Sequence, residues 1–148
     1  MSTTVDYETD LYAWTRRQAD ALRRRAAGEL VNETELDWEN LAEEIESVGR
    51  SEKHEIRSRL VILLAHLLKW AYQSSERSNS WRASIRDARA EIEEILEDSP
   101  SLRPLPAEKL AKAYARARAK ALDETGLLDL PAECPWTIDD VLAEDFLP

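Results

Sequence analysis

Apolar residues recur with a helical period over one long stretch of the chain. Leu41, Ile45, Val48, Ile56, Leu60, Leu63, Leu67 and Ala71 keep a phase of about 3.6 residues, which predicts one apolar face on a single helix or on two helices in register. That face has to be buried. Gly49 interrupts the stretch: it costs about 1 kcal/mol in a helix interior relative to alanine and serves equally well as a C-terminal cap. A continuous helix over 38–72 would be roughly 50 Å long, against a diameter of ~40 Å for a folded domain of this size. The phase is nevertheless kept from Val48 to Ile56, which a turn would not require, so the pattern favours a long helix bent at Gly49 over a hairpin.

The remaining segments have the same character. Asp6 is placed to cap a first helix over 7–27 with Leu11, Trp14, Gln18 and Leu22 as its inner stripe and Gly28 as its stop. Arg23, Arg24 and Arg25 complement the negative end of that helix, an acidic linker follows, and Asp37 can cap the central helix. A polar loop over 73–80 leads to a third helix from Trp81, with Ile85, Ala88, Ile92 and Leu96 on its inner face, ended by Pro100. A fourth helix is expected over 107–125, where Leu110, Ala113, Tyr114, Ala117, Ala121 and Leu122 make a stripe suited to close packing before Gly126. Thr137 can cap a short last helix, and Trp136 and Phe146 are expected to pin this tail to the bundle. No segment alternates as a strand would. The expected fold is all-α, a helical bundle of four main helices with a long central helix and a short C-terminal helical tail.

Composition narrows the class further. The chain has 148 residues, enough for a single all-helical domain over 1–148 that buries roughly two thirds of its unfolded surface. A net charge of -10 sets a field that repels phosphate, which disfavours nucleic acid except through a local basic patch, and disfavours an anionic membrane surface. The lone Cys134 excludes an intramolecular disulfide, no apolar run approaches the ~20 residues that span a bilayer, and residues 1–7 do not resemble a signal peptide. These features together predict a cytoplasmic protein.

Three constellations are candidates for chemistry. Glu43 and Glu46, three apart on a helix, share a face and could hold a hard cation such as Mg²⁺, although the chain lacks the Glu-x-x-His pairs of ferritin-like sites. Arg59 and His66 lie two turns apart on one side of a helix, where an imidazole can shuttle a hydroxyl proton and a guanidinium can stabilise charge on a phosphate. Their spacing resembles the arginine-histidine motif of the all-helical HEPN ribonucleases. Leu60 stands where that motif usually has a polar residue. The simpler role for His66, beside Leu63, Leu67 and Trp70, is a hydrogen-bonded, partly buried ring with its pKa lowered by desolvation, while His54 is expected to be exposed. Lastly, Trp70 and Trp81 flank the polar loop with Lys69, Arg82, Arg86 and Arg89, a set able to bind a ligand or partner by stacking and charge. Internal pairing of those arginines with Glu43, Glu44 or Glu46 is the competing expectation. Cys134, followed by proline and without a basic neighbour, reads as packing.

The strings YETDLYAWTRRQADALR, LDWENLAEEIESVGRSE, LLAHLLKWAYQ, RSNSWRASIRDAR, LEDSPSL and ECPWTIDDVL resemble the bacterial domain of unknown function 29 family. The likeness covers nearly the whole chain and is carried most specifically by the run from Asn40 to Glu46, by His66 to Trp70 and by Ser80-Trp81-Arg82. It implies a small all-helical domain and brings no activity with it. With strong amphipathic stripes and no complete catalytic set, the expected role is a binding or assembly module that meets a protein partner or a second copy of itself, without a cofactor. The alternative is a metal-independent ribonuclease using Arg59 and His66.

Overall fold

The computed structural model describes residues 7–148, which are helical without any strand among them. The helices are α1 (Leu11–Ala26), α2 (Trp38–Tyr72), α3 (Asn79–Asp98), α4 (Leu105–Thr125) and the short α5 (Ile138–Leu142). Single 3₁₀ turns at Glu33–Glu35, Ser74–Glu76 and Pro100–Leu102 lie in the connections before α2, α3 and α4. The chain divides into two units, one ending at Arg50 and the other starting at Ser51, and α2 runs through the boundary. It is uninterrupted at Gly49, where an added Cβ would meet no atom within 4 Å.

In the first unit the helix expected over 7–27 is broken. Residues 7–9 are helical, but Asp10 leaves the helical region and caps α1, its carboxylate accepting a hydrogen bond from Ala13 N at 3.0 Å. The expected cap, Asp6, lies outside the described residues. The restart changes which residues face inward: Trp14, Gln18 and Ala21 are buried, whereas Leu11 and Leu22 are exposed. Gly28, at φ +88°, stops α1, with Gly28 N bonded to Arg25 O and Glu29 N to Arg24 O, both at 3.0 Å. Gln18 then ties the linker down, donating from Nε2 to Glu35 O at 3.0 Å and accepting from Asp37 N at 2.8 Å. Asp37 joins α1 to the start of α2, since its carboxylate accepts from Trp14 Nε1 at 3.2 Å and from Asn40 Nδ2 at 2.7 Å.

The second unit holds the larger core. Ile56, Leu60, Leu63, Leu64, Leu67 and Leu68 of α2 are fully buried with Ile85 and Ile92 of α3, Ala117 and Ala121 of α4, and Val141 of α5. Ser78 caps α3 by accepting from Trp81 N at 3.2 Å. Helix α4 starts two residues before its expected position because Pro106 falls in the first turn, where its missing N–H is no loss. Gly126 ends it at φ +70°. The tail is fastened by polar bonds as well as by its rings. Buried Arg89 donates to the carbonyls of Val141, Glu144 and Phe146 at 2.8, 3.2 and 2.7 Å, and Tyr114 donates to Pro131 O at 2.6 Å. Burial raises the Tyr114 hydroxyl to about 12. Trp136 and Phe146 meet edge to face at 6.1 Å and pack against the core as expected.

The stripe predicted to be buried along α2 is buried only in its later part. Ile45 is 71% exposed and Val48 66% exposed, while every member from Ile56 to Leu67 is inaccessible.

Candidate functional site

The last turns of α2 and the first of α3 bring together most of the residues expected to bind a ligand. Lys69, in the last turn of α2, forms an ion pair with Glu124 near the end of α4, and its ammonium lies 5.9 Å from the centre of the Trp81 ring. The pairing with Lys69 holds the Glu124 carboxyl below its usual range, with Lys120 and His66 acting in the same direction against a smaller effect of burial. Trp70 is nearly buried and has two guanidinium groups against it, Arg77 at 4.9 Å and Arg82 at 5.5 Å. Arg77 also donates from Nε to Trp70 O at 2.9 Å, which satisfies a carbonyl that the helix end leaves without an N–H. Stacking a base on Trp70 would have to compete with contacts worth roughly 0.5–1 kcal/mol each. The cluster is therefore internally satisfied, and it fastens the α2–α3 connection.

Arg86 lies apart, 3.6 Å from Asp87, on the wall of a 350 Å³ cavity shared with Arg89, Glu93 and Glu144. The internal pairing expected for these arginines takes other partners: Arg82 goes to an indole and Arg89 to three carbonyls. Glu43 and Glu46 both turn to Arg50 of their own helix, at 2.6 and 3.7 Å, and Glu44 accepts from the Tyr7 hydroxyl at 2.6 Å. Among the described residues no three His, Cys, Asp or Glu side chains are grouped so as to hold a metal ion.

Arg59 and His66 sit on one side of α2, roughly 10 Å apart along its axis. The Arg59 Nε is engaged by two carboxylates, Glu55 of the same helix and Glu91 of α3, both at 2.7 Å. His66 Nδ1 lies 2.8 Å from Ile62 O. Burial pushes the His66 pKa down, helped by Lys69 and Lys120, while the Ile62 carbonyl and Glu124 oppose the shift. A neutral ring facing a carbonyl carries its proton on Nδ1, which leaves the Nε2 lone pair as the basic position. Cys134 is half-buried, its thiol directed to Trp136 O at 3.4 Å and its pKa raised by burial.

Sequence reasoning passed over Arg77 and Glu124, the one within a loop treated as capping residues and the other at the end of a helix noted only for its small residues. It also passed over a basic groove in the second unit. Helix α2 presents His54, Arg57, Ser58 and Val61 to a cavity of 540 Å³, and α4 presents Lys109, Lys112 and Arg116. The signal was there: each set follows the three- and four-residue steps of one helix face. None of the lining residues is acidic.

No described helix is long and apolar enough to cross a membrane. No curated protein and no solved structure matches the chain. A family model does match, over residues 7–147, and the chain accordingly belongs to the family described as Domain of unknown function DUF29.

Proposed function

We propose that the protein is a cytoplasmic assembly module without catalytic activity, pairing with a second copy of itself through the first part of α2. The observation that carries this reading is the exposure of Ile45 and Val48, with Trp38 half exposed on the same helix. Trp38, Leu41, Ile45 and Val48 follow the alternating three- and four-residue spacing of a two-heptad seam. Ala42 and Gly49 lie beside them, and the open space at Gly49 lets another helix come close. A second copy suits this face because Arg50 offsets part of the charge of Glu43 and Glu46, which lowers the repulsion between two acidic chains. Burying a large aliphatic side chain contributes about 1.5–3 kcal/mol, and a twofold seam counts each one twice. The reading without catalysis is supported by Arg59, whose guanidinium is already paired with two carboxylates, Glu55 and Glu91.

Light scattering tests the pairing. The expected result is a dimer at micromolar concentration that becomes a monomer of unchanged helicity in the Ile45→Glu, Val48→Glu double variant. A wild-type chain that remains monomeric at high micromolar concentration defeats the proposal.

A further inference from the structure

The groove between α2 and α4 gathers positive charge in a chain whose formal charge is -10. Arg57, Lys109, Lys112 and Arg116 line it, with the hydroxyl of Ser58 and the ring of His54, whose Nε2 lies 3.4 Å from Ser58 Oγ. Elsewhere in the second unit Arg59 pairs with Glu55 and Glu91, Lys69 with Glu124, and Arg103 with Glu93, while Arg77, Arg89 and Arg118 donate to backbone carbonyls. Of the four in the groove, none has an ion pair among the described residues. The chain has 30 acidic residues, so a shortage of carboxylates does not explain this. Four cations around one cavity repel one another, and an anion with several closely spaced charges removes that repulsion while accepting charge-assisted hydrogen bonds.

We propose that this groove binds a small polyphosphate, a chain of phosphates either free or carried by a nucleoside. Size and field favour a small ligand over a nucleic-acid strand. A volume of 540 Å³ lies within the ~300–1,000 Å³ range of small-molecule sites. A long strand would have to continue over the surface of a strongly acidic protein, whereas a small anion ends inside the basic patch. Val61 and Ala113 supply an apolar stretch of wall for an organic group. All of these residues lie beyond Arg50, so this site does not depend on the seam formed by Ile45 and Val48.

Isothermal titration calorimetry with inorganic tripolyphosphate, ATP and adenosine, at low ionic strength, tests the assignment. ATP and tripolyphosphate are expected to bind and adenosine is not. Equal affinities of the first two assign the site to the phosphates alone, and tighter ATP binding adds a role for the apolar wall. The Lys112→Gln, Arg116→Gln double variant is expected to bind at least about tenfold more weakly, since it removes two charge-assisted contacts. Arg103→Gln, outside the groove, should change nothing. The proposal is overturned by any of three results: no binding of either phosphate compound at millimolar concentration, equal binding by the double variant, or tighter binding of a short single-stranded RNA than of ATP. Each leaves the light-scattering test of the seam untouched, because the two sets of substitutions share no residue.

Discussion

Helix α2 carries one apolar rhythm and two fates. From Ile56 to Leu68 its inner apolar residues, Ile56, Leu60, Leu63, Leu64, Leu67 and Leu68, are fully buried, with α3, α4 and the tail supplying the other side of the core. From Trp38 to Val48 the same period leaves Ile45 and Val48 in the open. In the first unit Tyr7 bonds to Glu44 of α2 and Trp14 of α1 to Asp37 at its start, both away from Ile45 and Val48. Periodicity therefore tells that a face is apolar. What covers it is decided by how many other elements are available to pack there.

The sharpest way to break this comparison is to shorten one side chain in each part. Leu64→Ala removes a fully buried side chain and is expected to cost on the order of 3 kcal/mol, read as a lower urea midpoint with an unchanged slope. Val48→Ala removes an exposed one and is expected to change the stability of the monomer by less than about 0.5 kcal/mol. Equal losses at the two positions would show that the first part of α2 is covered within the chain and would remove the basis for the seam.

A smaller effect sharpens what does the covering. Arg89 reaches across to three carbonyls of the tail, and Val141 beside them is fully buried. Arg89→Met keeps most of the stem and removes the guanidinium, so carbonyls that accepted from a charged donor lose it. The expected loss is about 2 kcal/mol, with faster amide exchange confined to 138–146. If exchange quickens throughout α2 instead, the tail is part of the core's main support.

Much of this architecture was legible in the sequence, because its signals are local. Gly28 and Gly126 stop helices through positive φ, Thr137 caps the last with its short side chain, and Pro100 ends one by steric conflict. The continuity of α2 through Gly49 followed from the kept phase. The failures were long-range or competitive. Asp10 displaced the start of α1 because two aspartates four residues apart both qualify as caps, and spacing does not choose between them. The spacing groups Arg89 with Arg82 and Arg86 as a ligand-binding set, yet its partners lie 52 to 57 residues downstream. Of the candidate site, the grouping of Lys69, Trp70, Trp81 and Arg82 was readable from their positions on both sides of one short loop. Glu124 was not, since it comes from a helix whose register against α2 is fixed by tertiary packing. The basic groove has the same cause, two helix faces that become one site only when α2 and α4 meet.

The weakest expected effect is a pH dependence that belongs to the covered part of α2 alone. His66 has its pKa lowered from the ordinary 6.5, chiefly by burial, so the unfolded chain takes up this proton first as pH falls. Stability is then lost on acidification from just above 6.5 until the folded-state pKa is reached. Glu124 has its pKa lowered from 4.5, chiefly by the bond from Lys69, and its contribution is present above the ordinary carboxylate value and lost as pH falls through the lower folded value. The two steps have the same sign and separate windows. Thermal unfolding followed by circular dichroism should show the midpoint falling first below about 6.5 and again below about 4.5, with His66→Gln removing the upper step and Lys69→Met chiefly reducing the lower. Ile45 and Val48 belong to the first unit and this cluster to the second, so the double glutamate variant should keep both steps. A midpoint that stays flat as pH drops below 6.5 would mean that His66 is solvated in the folded chain, and the buried end of α2 would then be more open than its packing implies.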